Sequence, residues 1–186
     1  MIGLFGGAFD PPHNGHVALV RAAKRELGLD RLLVLVAADP AHKRVETPAA
    51  IRLELARAAF PDEEVALDEH ARTVDTLRAH PEWSDPVFVV GADEFAGFLS
   101  WKEPDEVLRL ARLAVAARPG FPRERLDAVL GRLAAPDRVS FFELDEPHAS
   151  RLLREHWELG DVPSAVAEIV GREGLYARSP GYTESA

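Results

Sequence analysis

The 186 residues contain no cysteine, no glutamine, one asparagine (Asn14) and one methionine. Without cysteine there can be no disulfide, no thiolate metal site and no cysteine nucleophile, and the composition suits the cytoplasm. No apolar run reaches the roughly 18 residues that a membrane span needs. The amino terminus lacks the basic-then-apolar layout of a signal peptide. Positive charge is also scarce: 22 Lys and Arg stand against 31 Asp and Glu, a net charge of −9. Nonspecific nucleic-acid binding depends on basic surface that neutralises phosphates, so nucleic acid is not expected as a partner. An anionic ligand would have to be met by positive groups gathered locally. The shortage of thermolabile side chains suits a thermophile, and the excess of Arg over Lys suits a GC-rich genome equally well. Two nucleotide motifs are missing, the GxGxxG dinucleotide fingerprint and the GxxxxGK[ST] P-loop. Hydride transfer on a standard nicotinamide domain and P-loop hydrolysis are thereby disfavoured.

What remains is the pattern of one globular domain, 47% apolar and 28% charged, long enough for a good core. The chain opens with a short apolar strand, Met1 to Phe5. A Gly6-Gly7 break follows, then a turn through Asp10-Pro11-Pro12, then a helix pattern of Val17, Leu19, Val20, Ala23 and Leu27. Arg31 to Ala38 is aliphatic enough to be a strand buried on both faces. After the turn Asp39-Pro40-Ala41-His42-Lys43-Arg44, Thr47 reads as an N-cap with Pro48 at the first helical position. That helix runs to Phe60 and Pro61 ends it. Further strands are expected at Val65–Asp68, Pro86–Val90, Leu113–Ala117 and Val139–Phe142. Helical segments are expected within His70–His80 and at Glu94–Leu99, Asp105–Leu110, Arg123–Leu133, Ala149–Trp157 and Pro163–Glu173. Ser179 to Ala186 reads as a flexible tail. This alternation predicts an α/β fold with a doubly wound parallel sheet and right-handed crossovers. Ligands of such sheets bind beyond the carboxyl ends of the strands, where the strand order reverses. The unusual turns after strands one and four, Gly6 to His16 and Gly91-Ala92-Asp93, fall at that point.

The first turn has phosphate-binding chemistry. A helix N-terminus carries roughly half a positive charge and several unpaired N–H groups. His13 and His16, three residues apart, lie on one face of that helix and can point N–H donors at one ligand. Other readings exist. A histidine at a helix start is commonly a solvated or capping residue, and a His pair can bind zinc, although only Asp10 offers itself as a further ligand.

Gly6-Gly7-Ala8-Phe9-Asp10-Pro11-Pro12-His13-Asn14-Gly15-His16 closely resembles the GG(S/T)FDPxHxGH signature of the nucleotidyltransferase superfamily. Over nearly the whole chain the resemblance narrows to the bacterial nicotinate-nucleotide adenylyltransferases. Pro40-Ala41-His42-Lys43 is similar to that family's PPHK turn. Thr73-Val74-Asp75-Thr76-Leu77 is similar to its YTxxTL segment, with Arg72 where Tyr is usual. Gly91-Ala92-Asp93, Trp101 and Arg118-Pro119-Gly120 follow in family order. The resemblance implies a Rossmann-like nucleotidyltransferase domain over 1–178. It implies adenylyl transfer from ATP to nicotinate mononucleotide, with Mg²⁺ arriving on the ATP phosphates and no metal site on the protein. His13, His16 and Lys43 would be the catalytic groups. ATP would meet Gly6, Gly7, Ala8, Phe9, His13, His16, Gly91, Asp93, Ser150 and Arg154. Nicotinate mononucleotide would meet Gly7, Ala8, Lys43, the Thr73 and Val74 backbone, the Trp101 ring and Arg118. Taken alone, Lys43 reads equally as a solvated lysine, Asp93 as a helix cap and Trp101 as packing.

The chain departs from the family's ISSTxIR segment, since His148-Ala149-Ser150-Arg151-Leu152-Leu153-Arg154 keeps Ser150 and Arg154 but puts Arg151 in place of the threonine. Nicotinamide mononucleotide, phosphopantetheine or glycerol phosphate as acceptor, and a noncatalytic nucleotide-binding role, are the competing readings. Oligomeric state is not legible in the sequence.

Overall fold

The computed structural model describes residues 1–40, 45, 47–117, 120–144 and 161–176. The strands are β1 (Ile2–Gly7), β2 (Arg31–Ala37), β3 (Glu64–Asp68), β4 (Val87–Gly91), β5 (Arg112–Ala117) and β6 (Val139–Glu143). The helices are α1 (Asn14–Leu27), α2 (Ala49–Ala59), α3 (Thr73–Ala79), α4 (Ala92–Ala96), α5 (Pro104–Leu110), α6 (Arg123–Leu130) and α7 (Ser164–Glu173). The strands form one six-stranded sheet, ordered β3-β2-β1-β4-β5-β6 and parallel throughout. The doubly wound α/β sheet expected from the alternation is therefore present, with its order reversing between β1 and β4.

Each central strand is buried on both sides and divides its residues between two cores, because successive side chains point to opposite faces. On one face Leu32, Val34 and Val36 of β2 meet Leu19, Val20 and Ala23 of α1, Leu55 and Ala59 of α2, and Val166 and Ile169 of α7. On the other face Leu33 and Leu35 meet Val74 and Leu77 of α3, Phe95 of α4, Val107 and Leu108 of α5, and Leu126 of α6. Thus α1, α2 and α7 form one layer and α3 to α6 the other.

Two local expectations need correction. Gly6 and Gly7 do not form a turn: they continue β1 and pair with Leu35 and Val36 of β2. The space a side chain would occupy at these positions is taken by aromatic rings. A Cβ on Gly6 would lie 3.1 Å from Phe88 Cζ, and one on Gly7 would lie 2.9 Å from Phe9 Cζ. Thr47 does not cap α2. Pro48 is the N-cap residue and no side chain bonds there; the Thr47 hydroxyl instead donates to the Tyr176 hydroxyl at 3.1 Å. Residues 149–157 and the tail at 179–186 lie outside the described residues.

Candidate active site

The parallel ladder between β1 and β2 runs unbroken to Gly7 opposite Val36. On its other side β1 pairs with β4 only at Gly3–Val87 and Leu4–Phe88. The β1–β4 ladder thus ends at Leu4, and the carboxyl ends of these strands lie at the switch point, where sheets of this kind have their ligand crevice. The turn after β1 borders it on one side and Gly91-Ala92-Asp93, the end of β4 and start of α4, on the other.

His13 and His16 hold the start of α1. His13 is the N-cap, with extended backbone (φ −132°, ψ 171°). Its Nδ1 accepts the His16 N–H at 3.3 Å, while the His16 Nδ1 accepts the His13 N–H at 3.2 Å. This is a capping box in which imidazoles replace the usual hydroxyl and carboxylate. The two rings stack with centroids 3.6 Å apart and planes at 23°. Because both Nδ1 atoms accept, the hydrogen-bond network assigns the ring proton of each neutral imidazole to Nε2. The pair thus presents two ring donors at the positive end of a 14-residue helix. His16 is further fixed by the Phe9 edge, 5.3 Å between centroids.

Phe9 itself has φ +50° and is buried against Phe5 and Phe60. Its ring belongs to the core, so only its backbone can face a ligand. Ala8, half-buried, directs its carbonyl into the protein. Gly91 differs from Gly6 and Gly7: its φ is −77° and a Cβ there would meet nothing within 4 Å. Among the described residues no packing accounts for a glycine at this position, whereas close approach of a ligand would. Asp93 is exposed in the first turn of α4.

On the opposite face, Thr73 and Val74 begin α3. Val74 is fully buried, leaving its N–H as its possible ligand group. The N–H groups of Asp75 and Thr76 already turn back to the Arg72 carbonyl, so those of Thr73 and Val74, the first of the helix, are among the described residues the donors with no intrahelical partner. The Asp68 carboxylate fixes this start, accepting from Thr76 Oγ1 at 2.7 Å and the His70 N–H at 3.0 Å. Trp101 is half-buried, edge-on to Phe88 and Phe98. Two ion pairs bind its loop to α3: Lys102 Nζ to Asp75 at 2.9 Å, and Arg78 to both oxygens of Glu103 at 3.1 and 2.5 Å. The Lys102 ammonium holds the Asp75 carboxyl below its ordinary pKa, and Arg78 does the same for Glu103. The structure therefore brings Thr73, Val74 and Trp101 together in one layer, with His13 and His16 in the other. Lys43, Arg118, Ser150, Arg151 and Arg154 lie outside the described residues.

One residue escaped the sequence reading. Arg52 of α2 is 1% exposed, directly behind the turn that follows β1. Its position was signalled by spacing: 52, 55, 56 and 59 form the buried stripe of α2, and the arginine stands where an aliphatic residue would be expected. Burial lowers its pKa, and Asp10, Tyr176 and Asp39 work against that shift. Tyr176, just after α7, donates to the Asp10 carboxylate.

Among the described residues no group of three or more His, Asp or Glu side chains is arranged to hold a metal, and no helix is long and apolar enough to cross a membrane.

Comparison with known proteins bears on the family and the fold. The model of the cytidylyltransferase-like family matches residues 4–155. A protein of Thermus thermophilus named "Probable nicotinate-nucleotide adenylyltransferase" is 35% identical over 188 residues, covering 94% of this chain and 98% of its own length. A Rubrobacter xylanophilus protein of the same name is 32% identical over 195 residues, covering 94% and 91%. Among solved structures, nicotinic acid mononucleotide adenylyltransferase of Plasmodium falciparum, complexed with NaAD, superposes with a TM-score of 0.76 over 96% of this chain and 98% of its own. Its sequence identity is 15%, so that likeness is one of fold.

Proposed function

The chain belongs to the cytidylyltransferase-like family, and from that premise we propose that it transfers the adenylyl group of ATP to nicotinate mononucleotide in NAD biosynthesis, forming deamido-NAD and pyrophosphate. The observation that carries the chemistry is the stacked His13–His16 pair, whose ring donors sit at the α1 N-terminus beside the β1–β4 crevice. The curated relatives, similar over nearly their full length, support the choice of acceptor.

The reaction asks little covalent chemistry of the protein. The second pKa of a phosphate monoester lies near ~6, so the acceptor phosphate is largely dianionic at neutral pH and needs no general base. One of its oxygens forms a bond to the α-phosphorus of ATP. The bond from that phosphorus to the bridging oxygen breaks, and the electron pair leaves with pyrophosphate. The work left is alignment and stabilisation of negative charge. His13 and His16 donate from Nε2 to the phosphates, with His16 nearest the transferred one. The glycines that end β1 and Gly91 let the nucleotide approach the backbone closely, and Asp93 meets its adenosine half. On the acceptor side, the Thr73 and Val74 N–H groups receive the nicotinate carboxylate and Trp101 stacks on the pyridine ring. Mg²⁺ carried on the triphosphate would supply countercharge for it and for the leaving pyrophosphate, while His13 and His16 hold the phosphates from the protein side. We place the enzyme in the cytoplasm.

The test is pyrophosphate release by the purified protein with ATP, Mg²⁺ and one acceptor at a time. Turnover is expected with nicotinate mononucleotide. Silence with that acceptor would defeat the reading, and faster release with nicotinamide mononucleotide would reassign the acceptor.

A further inference from the structure

Arg52 spends its guanidinium on four backbone carbonyls. Nη1 donates to Ala8 O and to Ala37 O, both at 2.7 Å, Nη2 to Ala38 O at 3.0 Å, and Nε to Thr47 O at 3.0 Å. Three of these carbonyls, those of Ala8, Ala37 and Ala38, lie just where the β1–β2 ladder gives out. Its last pair is Gly7–Val36, and beyond it the two chains would otherwise part with their carbonyls unmet. Only arginine offers enough donors in a fixed planar fork to join them. Burying that charge is costly unless it is paired and hydrogen-bonded, and a core with Leu55, Ala56 and Ala59 on the same stripe would accept an aliphatic residue with less penalty. A role beyond packing accounts for its presence.

We propose that Arg52 is a positioning residue for the ATP side of the site, and that Tyr176 braces the same turn from behind. This rests on the adenylyl-transfer reading above. The peptide group is planar and trans, so its N–H and C=O point in opposite directions. The Ala37–Ala38 peptide displays this: its carbonyl turns to Arg52 while its N–H donates to the Asp68 carbonyl on the other side at 2.8 Å. By the same geometry, holding the Ala8 carbonyl turns the Phe9 N–H away from Arg52. Arg52 therefore sets the orientation of the peptide that joins the glycines of β1 to the histidine pair of α1. Tyr176 secures the next residue: its hydroxyl donates to Asp10 and accepts from Thr47 Oγ1. Thr47 in turn lends its carbonyl to Arg52. One network thus links the turn, the end of β2, the start of α2 and the segment after α7.

Steady-state kinetics of Arg52→Lys and Tyr176→Phe, run well below each variant's unfolding temperature and normalised to folded enzyme, test the proposal. Lysine keeps the charge but offers a compact point donor that cannot serve four carbonyls. Misplacement of a catalytic turn by about 1 Å costs on the order of 100-fold. R52K is therefore expected to lose on the order of 100-fold in kcat/KM for ATP, with KM for nicotinate mononucleotide unchanged. Y176F is expected to change in the same direction by less. A purely structural role would lower the melting temperature and leave both constants of the folded enzyme alone. A folded R52K with wild-type kcat/KM for ATP overturns the proposal. If R52K does not fold, Y176F decides alone, and wild-type ATP kinetics in that variant overturn it equally. A wild-type protein that is silent with ATP and nicotinate mononucleotide instead defeats the underlying reading.

Discussion

His13 and His16 cap each other's backbone, each Nδ1 accepting the other's N–H at 3.2–3.3 Å. On the proposed mechanism one feature serves stability and chemistry, and the two are separable. His16→Ala is expected to lower kcat on the order of 100-fold, the usual cost of removing one charge-stabilising donor. It should also cost about 1 kcal/mol of stability through loss of the cap. His16→Gln restores a side chain of the kind that closes a capping box, so its melting temperature should recover while kcat stays low. An H16A enzyme within a few-fold of wild type would remove His16 from the chemistry.

Gly7 and Gly91 should respond differently to alanine. At Gly7 the new Cβ meets the buried Phe9 ring at 2.9 Å, and overpacking of this kind costs about 1–3 kcal/mol. At Gly91 the new Cβ enters open space. Gly91→Ala should therefore melt at or above the wild-type temperature, because alanine restricts the unfolded chain, while its KM for ATP rises. Differential scanning calorimetry beside ATP kinetics checks both halves. An unchanged KM for ATP in G91A would exclude close nucleotide approach there.

Trp101→Ala is expected to weaken the acceptor and leave ATP alone. Stacking contributes about 1–3 kcal/mol per ring by alanine substitution elsewhere, so KM for nicotinate mononucleotide should rise on the order of 10-fold. Glu103→Gln breaks the bidentate contact from Arg78. Both groups are largely exposed, and exposed pairs contribute little to stability. The melting temperature should barely move while the acceptor KM increases. Equal weakening of ATP by either change would place Trp101 in the wrong half of the site.

Tyr176 should be visible in the alkaline limb of the stability profile. Burial, then the hydrogen bond to Asp10, raises its pKa above the ordinary value of 10.0. An acid whose folded pKa is raised keeps its proton longer in the folded state, so its contribution is complete below pH 10 and declines as pH rises beyond that. Wild-type protein should accordingly lose stability above pH 10 more steeply than Y176F, measured by chemical denaturation at a series of pH values. Parallel curves would mean that the phenol is not held in this way.

The parallel sheet was legible because Leu32–Val36 and Val87–Val90 are continuously apolar, a pattern that burial on both faces demands. The histidine pair was legible because its spacing places both rings on one helical turn. The glycines of β1 were misread as a turn because glycine carries no strand signal of its own. Their place in the strand is decided by Phe88 and Phe9, residues that fill the missing side-chain volume from elsewhere in the chain. Thr47-Pro48 resembled a helix start because nothing local reveals that its hydroxyl is committed to a tyrosine 129 residues away. Arg52 sat in plain view on the buried stripe of α2, but a charged residue in such a stripe gains meaning only when the four carbonyls it serves are known.

The early separation of β1 from β4 has a further consequence. The sheet acts as a partition wall, and among the described residues the layer carrying α1 and α2 shares no helix with the layer carrying α3 and Trp101. Side chains on the α3 side can be exchanged without repacking those that surround the histidine pair. The half that the proposed function assigns to phosphate can therefore be kept intact while the opposite room is refurnished for a different guest, which is a structural route for a single scaffold to diversify.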